Sequence, residues 1–317
     1  MFTPVQSLFG GGLLFISVTS LAAYNGKVAG ISGIINNTIF GDSAPWRRAF
    51  LAGIGAMGIM LKFIPQLSGG HSVPAFPFSI GKAMAAGLLV GAGTKLGSGC
   101  TSGHMLCGIA RLSKRSIVAS ATFFATGAAT VYFTGGVPPR YNTVYPSKDE
   151  LSKLILFITA AASTFELLPA MIKKKARDST SQSIVGFLTG LTFALGLFLS
   201  GMTNTEKVRG FLDLTRPQNW DPSLLMVVAG GLVPNMIAYQ LFLKKKEKAT
   251  FNSRFDWPTK KDLDSRLLLG SALFGIGWGL CGVCPGPGLV TLAANPSAGI
   301  FAFWMSYLLG SGAAGYV

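Results

Sequence analysis

The sequence predicts an all-α membrane protein with about nine transmembrane helices, arranged as two inverted repeats with Gly-rich re-entrant loops. Three observations predict this fold class. Charged residues make up only 12% of the 317 residues, about half the share that is usual in a soluble domain. Apolar runs near the length needed to cross a bilayer recur along the chain. A segment rich in Gly and Cys in the first half reappears in the second half.

The composition also argues against several classes of function. Mean hydropathy is +0.49, and the 41 Gly residues are typical of membrane helices that pack closely. A net charge of +15 would suggest nucleic-acid binding in a soluble protein, but here the basic residues cluster between apolar runs. We therefore expect the lipid bilayer as a partner and no nucleic acid. The sequence has no G-x-x-x-x-G-K-[ST] motif, so we expect no cofactor and no ATP hydrolysis by this chain.

Nine apolar runs are the predicted transmembrane helices. The first run has no basic region before it, so we expect a retained span and not a cleaved signal peptide. The third and eighth runs are short and interrupted by Gly. The nine runs cover residues 6–23, 46–63, 80–96, 117–133, 151–168, 182–200, 222–243, 265–280 and 298–317.

Basic residues divide unevenly between the predicted loops. The loops after the odd-numbered runs hold eighteen Lys and Arg residues, whereas those after the even-numbered runs hold five. Because positive charge is retained on the cytoplasmic side, this predicts odd loops in the cytoplasm. The N-terminus is then outside and the C-terminus cytoplasmic, in a plasma (inner) membrane. The lysine runs at 173–175 and 244–246 are interpreted as markers of this sidedness.

The internal repeat divides the chain into three parts. Residues 87–103 align without a gap to residues 271–287, so that Cys100 corresponds to Cys284. The sequence predicts a first membrane repeat over 1–146, a connector helix with a basic loop over 147–181, and a second repeat over 182–317. Because an odd number of spans separates equivalent positions, the two repeats must be inverted. Inverted repeats with broken helices and a central site are the architecture of many transporters.

Two segments cannot be ordinary lipid-facing helices. The first is GSGCTSGHMLCG at 97–108, and the second is CGVCPGPG at 281–288. Irregular backbone at membrane depth is tolerated only inside protein or along a cavity. We therefore predict two re-entrant loops that enter from opposite faces and bring Cys100 and Cys284 to the pore axis.

These residues resemble a known family. The string GAGTKLGSGCTSGHMLCGIARLSKRS, the string SGMTNTEKVRGFLDL with WDPSLLM, and the string GIGWGLCGVCPGP are similar to the YeeE/YedE sulfur-transport family. The resemblance covers roughly residues 8–316 and places both halves of the family in one chain. It implies an hourglass-shaped helical membrane protein that takes up thiosulfate or a related sulfur species along pore cysteines.

The resemblance carries over to named positions. Cys100 and Cys284 match the pore cysteines, and the surrounding backbone would cradle the anion. A thiol is a weak donor and a soft acceptor, so it could contact a sulfane sulfur without the tight hold of Lys or Arg on a dianion. The expected substrate-binding residues are Cys100, Cys284, Gly99, Thr101, Ser102, Gly103, Lys95, Cys107, Cys281, Pro285 and Gly286.

Some of these residues have alternative interpretations. The family has a further early cysteine where this chain has Tyr24-Asn25-Gly26, and Cys107 or Cys281 could supply the missing thiol, although either could equally be a packing residue. Lys95 could attract the anion or extend to the membrane interface. His104 and Cys107 have metal-like spacing, but a structural zinc site usually needs four ligands, so we expect no metal.

The sequence therefore predicts a transporter or channel and not an enzyme. A cytoplasmic sulfurtransferase is one candidate partner. The competing hypothesis is a membrane thiol oxidoreductase or sulfurtransferase that uses Cys281 and Cys284 as a C-x-x-C pair. Gly97 stands where Cys281 would be mirrored in the first repeat, which disfavours that hypothesis. A selenium or polysulfide carrier of the same fold is the remaining alternative.

Overall fold

The computed structural model describes residues 2–64, 72–136, 142–172 and 179–315, and most of these residues are helical. The α-helices are α1 (Pro4–Asn25), α2 (Ile31–Phe40), α3 (Pro45–Phe63), α4 (Ile80–Leu96), α5 (Lys114–Phe133), α6 (Lys148–Met171), α7 (Ser179–Leu199), α8 (Thr205–Leu212), α9 (Ser223–Val227), α10 (Val233–Leu241), α11 (Ser265–Cys281), α12 (Pro285–Ala294) and α13 (Ala298–Ala313). Short π-helical segments lie at Ser102–Gly108 and Val228–Leu232, and 3-10 turns lie at Ile109–Arg111 and Leu243–Lys245.

The all-helical class is confirmed, but the count of nine spans is not. Among the described residues, six stretches are long and apolar enough to cross a membrane. The other three predicted runs are helical too. However, α3 contains Arg47, Arg48 and Lys62, α4 has 17 residues and α13 has 16 residues. The six stretches are Pro4–Asn25, Lys114–Phe133, Lys148–Met171, Ser179–Leu199, Ser223–Lys245 and Ser265–Ala294.

Local sequence signals explain where several helices begin. Proline occupies the first turn of α1, α3 and α12, where its missing N–H has no intrahelical partner to lose. Ser147 and Glu150 form a capping box at the start of α6, with the Glu150 N–H donating to Ser147 Oγ at 3.2 Å. At the start of α11, Asp264 Oδ1 accepts a hydrogen bond from the Leu267 N–H at 3.0 Å.

The first helices of the two halves, α1 and α7, run antiparallel. Three hydrogen bonds from side chains of α1 to backbone carbonyls at or near α7 fix their register. The residue numbers of the acceptors fall as the residue numbers of the donors rise, which shows that the helices are antiparallel. The bonds are Ser7 to Ser200 at 3.1 Å, Ser17 to Thr189 at 2.8 Å, and Asn25 to Gln182 at 2.8 Å.

The helices that precede the two cysteine segments, α4 and α11, also run antiparallel. A Cβ built on Gly93 would lie 2.3 Å from the Phe274 nitrogen, and one built on Gly277 would lie 2.8 Å from the Ala86 carbonyl oxygen. Only glycine allows two helix backbones to approach this closely, so the crossing depends on these positions.

Parallel helix pairs flank both antiparallel pairs. Helix α3 lies parallel to α7, and α4 lies parallel to α13. Likewise, the segment 223–232 lies parallel to α1, and α11 lies parallel to α5, so each of the four pairs joins a helix of the first half to one of the second. Glycines again mark the contacts: a built Cβ would approach the partner backbone within 2.5 Å at Gly190, Gly91, Gly230 and Gly275. The same packing pattern therefore occurs twice in the chain.

One end of the molecule, which we call the basic end, gathers the loops 26–44, 97–113 and 242–264. Arg115 Nη1 hydrogen-bonds the Asp262 carbonyl and contacts Asp264 Oδ1 at 3.2 Å. The Gln240 side chain donates to the Ala110 carbonyl at 3.1 Å. These loops are among those predicted to share one side of the membrane. The predicted basic residues of 173–177 lie outside the described residues.

The opposite end gathers loops that were predicted to lie on the other side. Arg209 Nη2 donates to Thr134 Oγ1 at 3.2 Å, and Arg209 Nε donates to the Gly279 carbonyl at 3.2 Å. The Asn295 side chain donates to the Val73 carbonyl at 3.3 Å. Arg140 and His71 lie outside the described residues.

Replacing Gly53 by Ala is expected to destabilise the fold, because the added Cβ would lie 2.2 Å from the Phe187 carbonyl oxygen of α7. Overpacking of this kind costs about 1–3 kcal/mol. The matched control is Gly55→Ala in the same helix, where an added Cβ meets nothing within 4 Å. The melting temperature in detergent should fall for Gly53→Ala and hold or rise for Gly55→Ala. Equal melting temperatures for the two variants would contradict this packing.

Candidate functional site

Helices α4 and α11 each lead into a short irregular segment followed by a second short helix. After α4, Ser98 adopts a left-handed conformation with φ of 60°, and Cys100 precedes the helical turns that begin at Ser102. After α11, Gly282 takes a φ of 65°, and Cys284 is the N-cap of α12. Glycine adopts this left-handed conformation without strain. Both segments therefore end at a cysteine that begins a second helix.

The two cysteines that the sequence aligns, Cys100 and Cys284, line the same cavity, and each has a hydroxyl partner on the first segment. Thr101 Oγ1 donates to Cys284 Sγ at 3.5 Å, which joins the first segment to the second. Cys100 Sγ lies 3.3 Å from Ser102 Oγ, which itself accepts a hydrogen bond from the Ile31 N–H at 3.0 Å. Both thiols are buried and neither forms a disulfide.

A small cavity of about 40 Å³ adjoins these groups, and we call it the cysteine cavity. This volume has space for a few water molecules. No charged side chain is among its lining residues in the part of the chain that the structure describes. The lining residues are Leu14, Ile31, Cys100, Thr101, Ser102, Met105, Leu106, Phe193, Leu197, Met202, Val227, Val228, Leu232, Cys284, Gly286 and Pro287.

A larger cavity of about 280 Å³ lies at the basic end, and we call it the basic vestibule. Gly30, Gly99 and Gly103 line the vestibule, whereas their chain neighbours Ile31 and Cys100 line the cysteine cavity. A Cβ built on Gly30 would lie 3.7 Å from the Gly103 Cα. The chain at residues 30–31 and at residues 99–103 therefore forms the wall between the two cavities. The cationic side chains of the vestibule are Lys27, Arg47, Arg111, Arg115 and Lys260.

Carboxylates at the basic end pair with several of these cations. Asp264 contacts Lys260 at 2.7 Å and Arg115 at 3.2 Å. The hydrogen bond from Lys260, with further bonds from the Leu267 N–H and Arg115, holds the pKa of Asp264 well below its ordinary value. Asp264 therefore stays ionised at neutral pH and keeps Arg115 in place at the start of α11.

The structure separates the other predicted site residues from the cysteine cavity. Gly99 and Gly103 line the basic vestibule instead, and Pro285 is the buried first residue of α12. Lys95 lies beside Gly315, where a built Cβ would come within 3.4 Å of its side chain. Lys95 is not among the described lining residues of the cysteine cavity or of the basic vestibule.

The two remaining cysteines lie elsewhere. Cys107 lines a separate cavity of about 20 Å³ together with Asn235 and Trp257. Cys281 Sγ lies 3.7 Å from the Lys82 carbonyl oxygen, towards the opposite end. Cys100, Thr101, Ser102, Cys284 and Gly286 are thus the predicted residues that share one cavity.

The structure also gives His104 a role that the sequence did not suggest. Its Nε2 lies 3.0 Å from the Gly97 carbonyl, and its Nδ1 lies 3.2 Å from Ser116 Oγ. Because a carbonyl only accepts, Nε2 carries the proton and a neutral ring accepts from Ser116. His104 therefore holds the first cysteine segment against α5. One indication of this role was present in the sequence: His104 lies in the first Gly- and Cys-rich segment, four residues after Cys100.

Known proteins resemble this chain over part of its length. Residues 181–313 match a family of unknown function, DUF6691. A Xylella fastidiosa (strain Temecula1) protein named "Probable transporter" is 41% identical over 128 residues, which is 40% of this chain and 93% of that protein. A second "Probable transporter" of the same strain is 42% identical over 120 residues, covering 37% of this chain and 78% of that protein.

A third relative, from Xylella fastidiosa strain 9a5c, carries the same name and is 41% identical over 128 residues, which is 93% of its length. The matches reach across nearly the whole of the shorter proteins at an identity that indicates common descent. Together with the long apolar helices, they show an integral membrane protein of a transporter family. The chain belongs to the family of membrane proteins that includes these probable transporters of Xylella fastidiosa.

Proposed function

We propose that this chain is a membrane transporter or channel that carries thiosulfate, or a related small sulfur-containing anion, past Cys100 and Cys284. The observation that carries the proposal is the hydrogen bond from Thr101 to Cys284, which joins the two interrupted helices in one cavity. The names of the relatives support transport in general. The sulfur-containing substrate is what the resemblance to the YeeE/YedE sulfur-transport family implies, and the two buried thiols suit it.

The surroundings of the thiols suit a weakly held anion. The described lining of the cysteine cavity has no charged group, so hydrogen bonds from Thr101 and Ser102 and contacts with the thiols would do most of the holding. Cys284 also caps α12, where Pro285 and Pro287 have no N–H and the Gly288 N–H donates to the Cys284 carbonyl, so the Gly286 N–H is the one backbone donor of this first turn without an intrahelical partner. A pore must bind its ion strongly enough to admit it and weakly enough to release it. Successive contacts, without covalent turnover, meet that requirement.

We also infer that residues 1–146 and 182–317 are inverted repeats. The antiparallel pairs α1–α7 and α4–α11 support this. So do the parallel pairs between the halves, since α3–α7 and α4–α13 each have a counterpart in which the two halves exchange roles. Inversion lets α12 and the helical turns after Cys100 approach the centre from opposite ends. The relatives are less than half as long as this chain, which supports treating each half as a unit.

The basic end is proposed to face the cytoplasm of a cell whose plasma (inner) membrane holds the protein. Positive charge collects there, at Lys27, Arg111, Arg115 and the lysines of 244–248. A cytoplasmic sulfurtransferase is a proposed acceptor for the sulfur species released at this end.

The competing hypothesis is a thiol oxidoreductase or sulfurtransferase that uses Cys281 and Cys284. The two thiols have different partners: Cys281 contacts the Lys82 carbonyl, and Cys284 accepts from Thr101. This difference favours a carrier over a C-x-x-C pair. A selenium or polysulfide carrier of the same fold would be revealed by competition with selenosulfate or polysulfide during uptake.

The sidedness can be tested by labelling introduced cysteines. Lys148 and Lys248 are both exposed, and they lie at the opposite and basic ends respectively. The four native cysteines are buried, so their background labelling should be low. A membrane-impermeant maleimide should label Lys148→Cys in intact cells and Lys248→Cys only after permeabilisation. The reverse pattern would contradict the proposed orientation.

Uptake of radiolabelled thiosulfate tests the proposed substrate and pathway. In cells without their own thiosulfate uptake, the wild-type chain should import the anion. Cys100→Ala and Cys284→Ala should each reduce uptake by about tenfold, because each removes a contact with a charged substrate. Cys281→Ala is the matched control and should import at the wild-type rate.

Two outcomes would contradict the proposal. Loss of uptake in Cys281→Ala and Cys284→Ala, with Cys100→Ala unaffected, would favour the C-x-x-C enzyme. No uptake by a wild-type protein that is well expressed and inserted in the membrane would exclude thiosulfate as the substrate.

A further inference from the structure

We propose that the wall between the cysteine cavity and the basic vestibule is the gate of the transport pathway, and that it opens where Gly30 faces Gly103. This inference rests on the proposed function, because a gate needs an ion that crosses it. Ile31 and Cys100 line the cysteine cavity, whereas Gly30 and Gly103 line the vestibule. An ion that leaves the thiols towards the basic end therefore meets this wall.

The wall is closed in the structure. A Cβ built on Gly30 would lie 3.7 Å from the Gly103 Cα, and one built on Gly103 would lie 3.7 Å from the Gly30 Cα. Each distance is an ordinary van der Waals contact between carbon atoms. The space between the two glycines thus admits one methyl group and excludes an anion with several oxygens. The two chain segments must separate before such an ion can pass.

A hydrogen bond that closes the wall also reaches the proposed ion site. The Ile31 N–H donates to Ser102 Oγ at 3.0 Å, and both residues are buried. The same oxygen lies 3.3 Å from Cys100 Sγ. A hydroxyl can turn its one proton towards a new acceptor. An anion at Cys100 that accepts a hydrogen bond from Ser102 draws the hydroxyl away from Ile31, and so weakens the contact that holds the wall closed.

Glycines bound the helix on one side of the wall. Gly30 is the N-cap of α2 and Gly41 is its C-cap, and no side chain caps the first turn. Hinges are a few loop or element-terminal residues that absorb changes in φ and ψ, and glycine changes them at little steric cost. The short helix α2 can therefore shift as a unit between these two positions, which moves Gly30 away from Gly103.

The internal repeat offers a comparison for the chain just before Gly30. At the repeat spacing, Lys27 corresponds to Lys207. Lys207 pairs with Asp221 at 3.2 Å, and both side chains are only 8% exposed. Lys27 pairs with Asp256, where the side chains are 19% and 36% exposed. A buried pair resists separation because each charge would lose its partner without gaining water, whereas water can replace a partner in an exposed pair. The wall in the first half is therefore the one that can open.

A disulfide across the wall tests the gate in the full-length chain. The reciprocal approach of the two glycines is within the reach of a disulfide, and neither has a positive φ, so Gly30→Cys combined with Gly103→Cys should fold and crosslink on mild oxidation. The crosslinked protein should import radiolabelled thiosulfate at least tenfold more slowly than the same protein after reduction, because the segments can no longer separate. Mass spectrometry of the linked peptides identifies the bond.

The controls separate gating from damage to the fold. A misfolded double variant would not regain uptake on reduction, so the oxidised and reduced forms of one protein are the matched pair. Gly30→Cys alone and Gly103→Cys alone should each import at the same rate before and after oxidation. Gly33→Cys adds a thiol to the same vestibule, where a Cβ meets nothing within 4 Å, and oxidation should not change its uptake either.

A second measurement does not depend on thiosulfate as the substrate. A small anionic methanethiosulfonate is applied to the basic end in inside-out membrane vesicles, and modification of Cys100 is measured by mass spectrometry. The crosslinked double variant should be modified at Cys100 about tenfold more slowly than the wild type. Rapid modification of Gly33→Cys in the same vesicles shows that the reagent reaches the vestibule.

The gate is overturned if the disulfide does not form, or if the crosslinked protein imports thiosulfate as fast as its reduced form. Uptake that persists after crosslinking and still requires Cys284 would remove the gate and leave the proposed function intact. No uptake by the wild type, together with slower modification of Cys100 after crosslinking, would remove thiosulfate as the substrate and support the gate.

Discussion

Backbone groups freed where a membrane helix is interrupted must find partners inside the protein, because lipid offers none. Both interruptions meet this constraint with short local bonds. In the first, the Gly99 N–H donates to the Thr94 carbonyl at 3.0 Å, and the His104 N–H donates to the Cys100 carbonyl at 2.9 Å. In the second, the Gly282 N–H donates to the Trp278 carbonyl at 2.6 Å, and the Gly288 N–H donates to the Cys284 carbonyl at 2.9 Å. The backbone is therefore largely satisfied within each segment, and the side chains at the start of the second helices are available to a ligand.

Close helix packing is what allows the two interruptions to meet. Glycines in α4 and α11 bring their backbones into direct contact, as at Gly93 and Gly277. With those helices fixed, the segments that follow them converge, and Thr101 reaches Cys284. The vestibule begins where the same segments turn outward at Gly99 and Gly103. One packing arrangement thus produces a neutral, thiol-containing cavity next to a cationic one.

The sequence predicts those structural features that leave a trace in an internal repeat or in the amino-acid composition. The gapless alignment of Cys100 with Cys284 predicted two equivalent cysteine segments, because duplication preserves spacing. It could not predict the hydrogen bond from the Ile31 N–H to Ser102, since that bond depends on tertiary contact between distant loops. Nor did any periodicity indicate that the Phe251 N–H would donate to the Tyr24 carbonyl at the end of α1.

Two further features depend on tertiary contacts and could not be predicted from the sequence: whether α3 spans the membrane, and which basic loops meet. Hydropathy cannot establish a span for α3, whose interior face packs on α7 through Gly53 while its ends carry charged residues. Basic loops were read as markers of sidedness, because charge alone does not show which loops meet. Only the folded chain brings Lys27, Arg111 and Arg115 to one cavity.

The central claim is that a sulfur-containing anion passes between Cys100 and Cys284. Anomalous X-ray diffraction from crystals of the full chain soaked with selenosulfate, in which selenium replaces the sulfane sulfur, tests it most directly. The account predicts a selenium peak in the cysteine cavity, in contact with both thiols and absent from Cys284→Ala crystals. A peak beside Cys281, with none in the cysteine cavity, would contradict it.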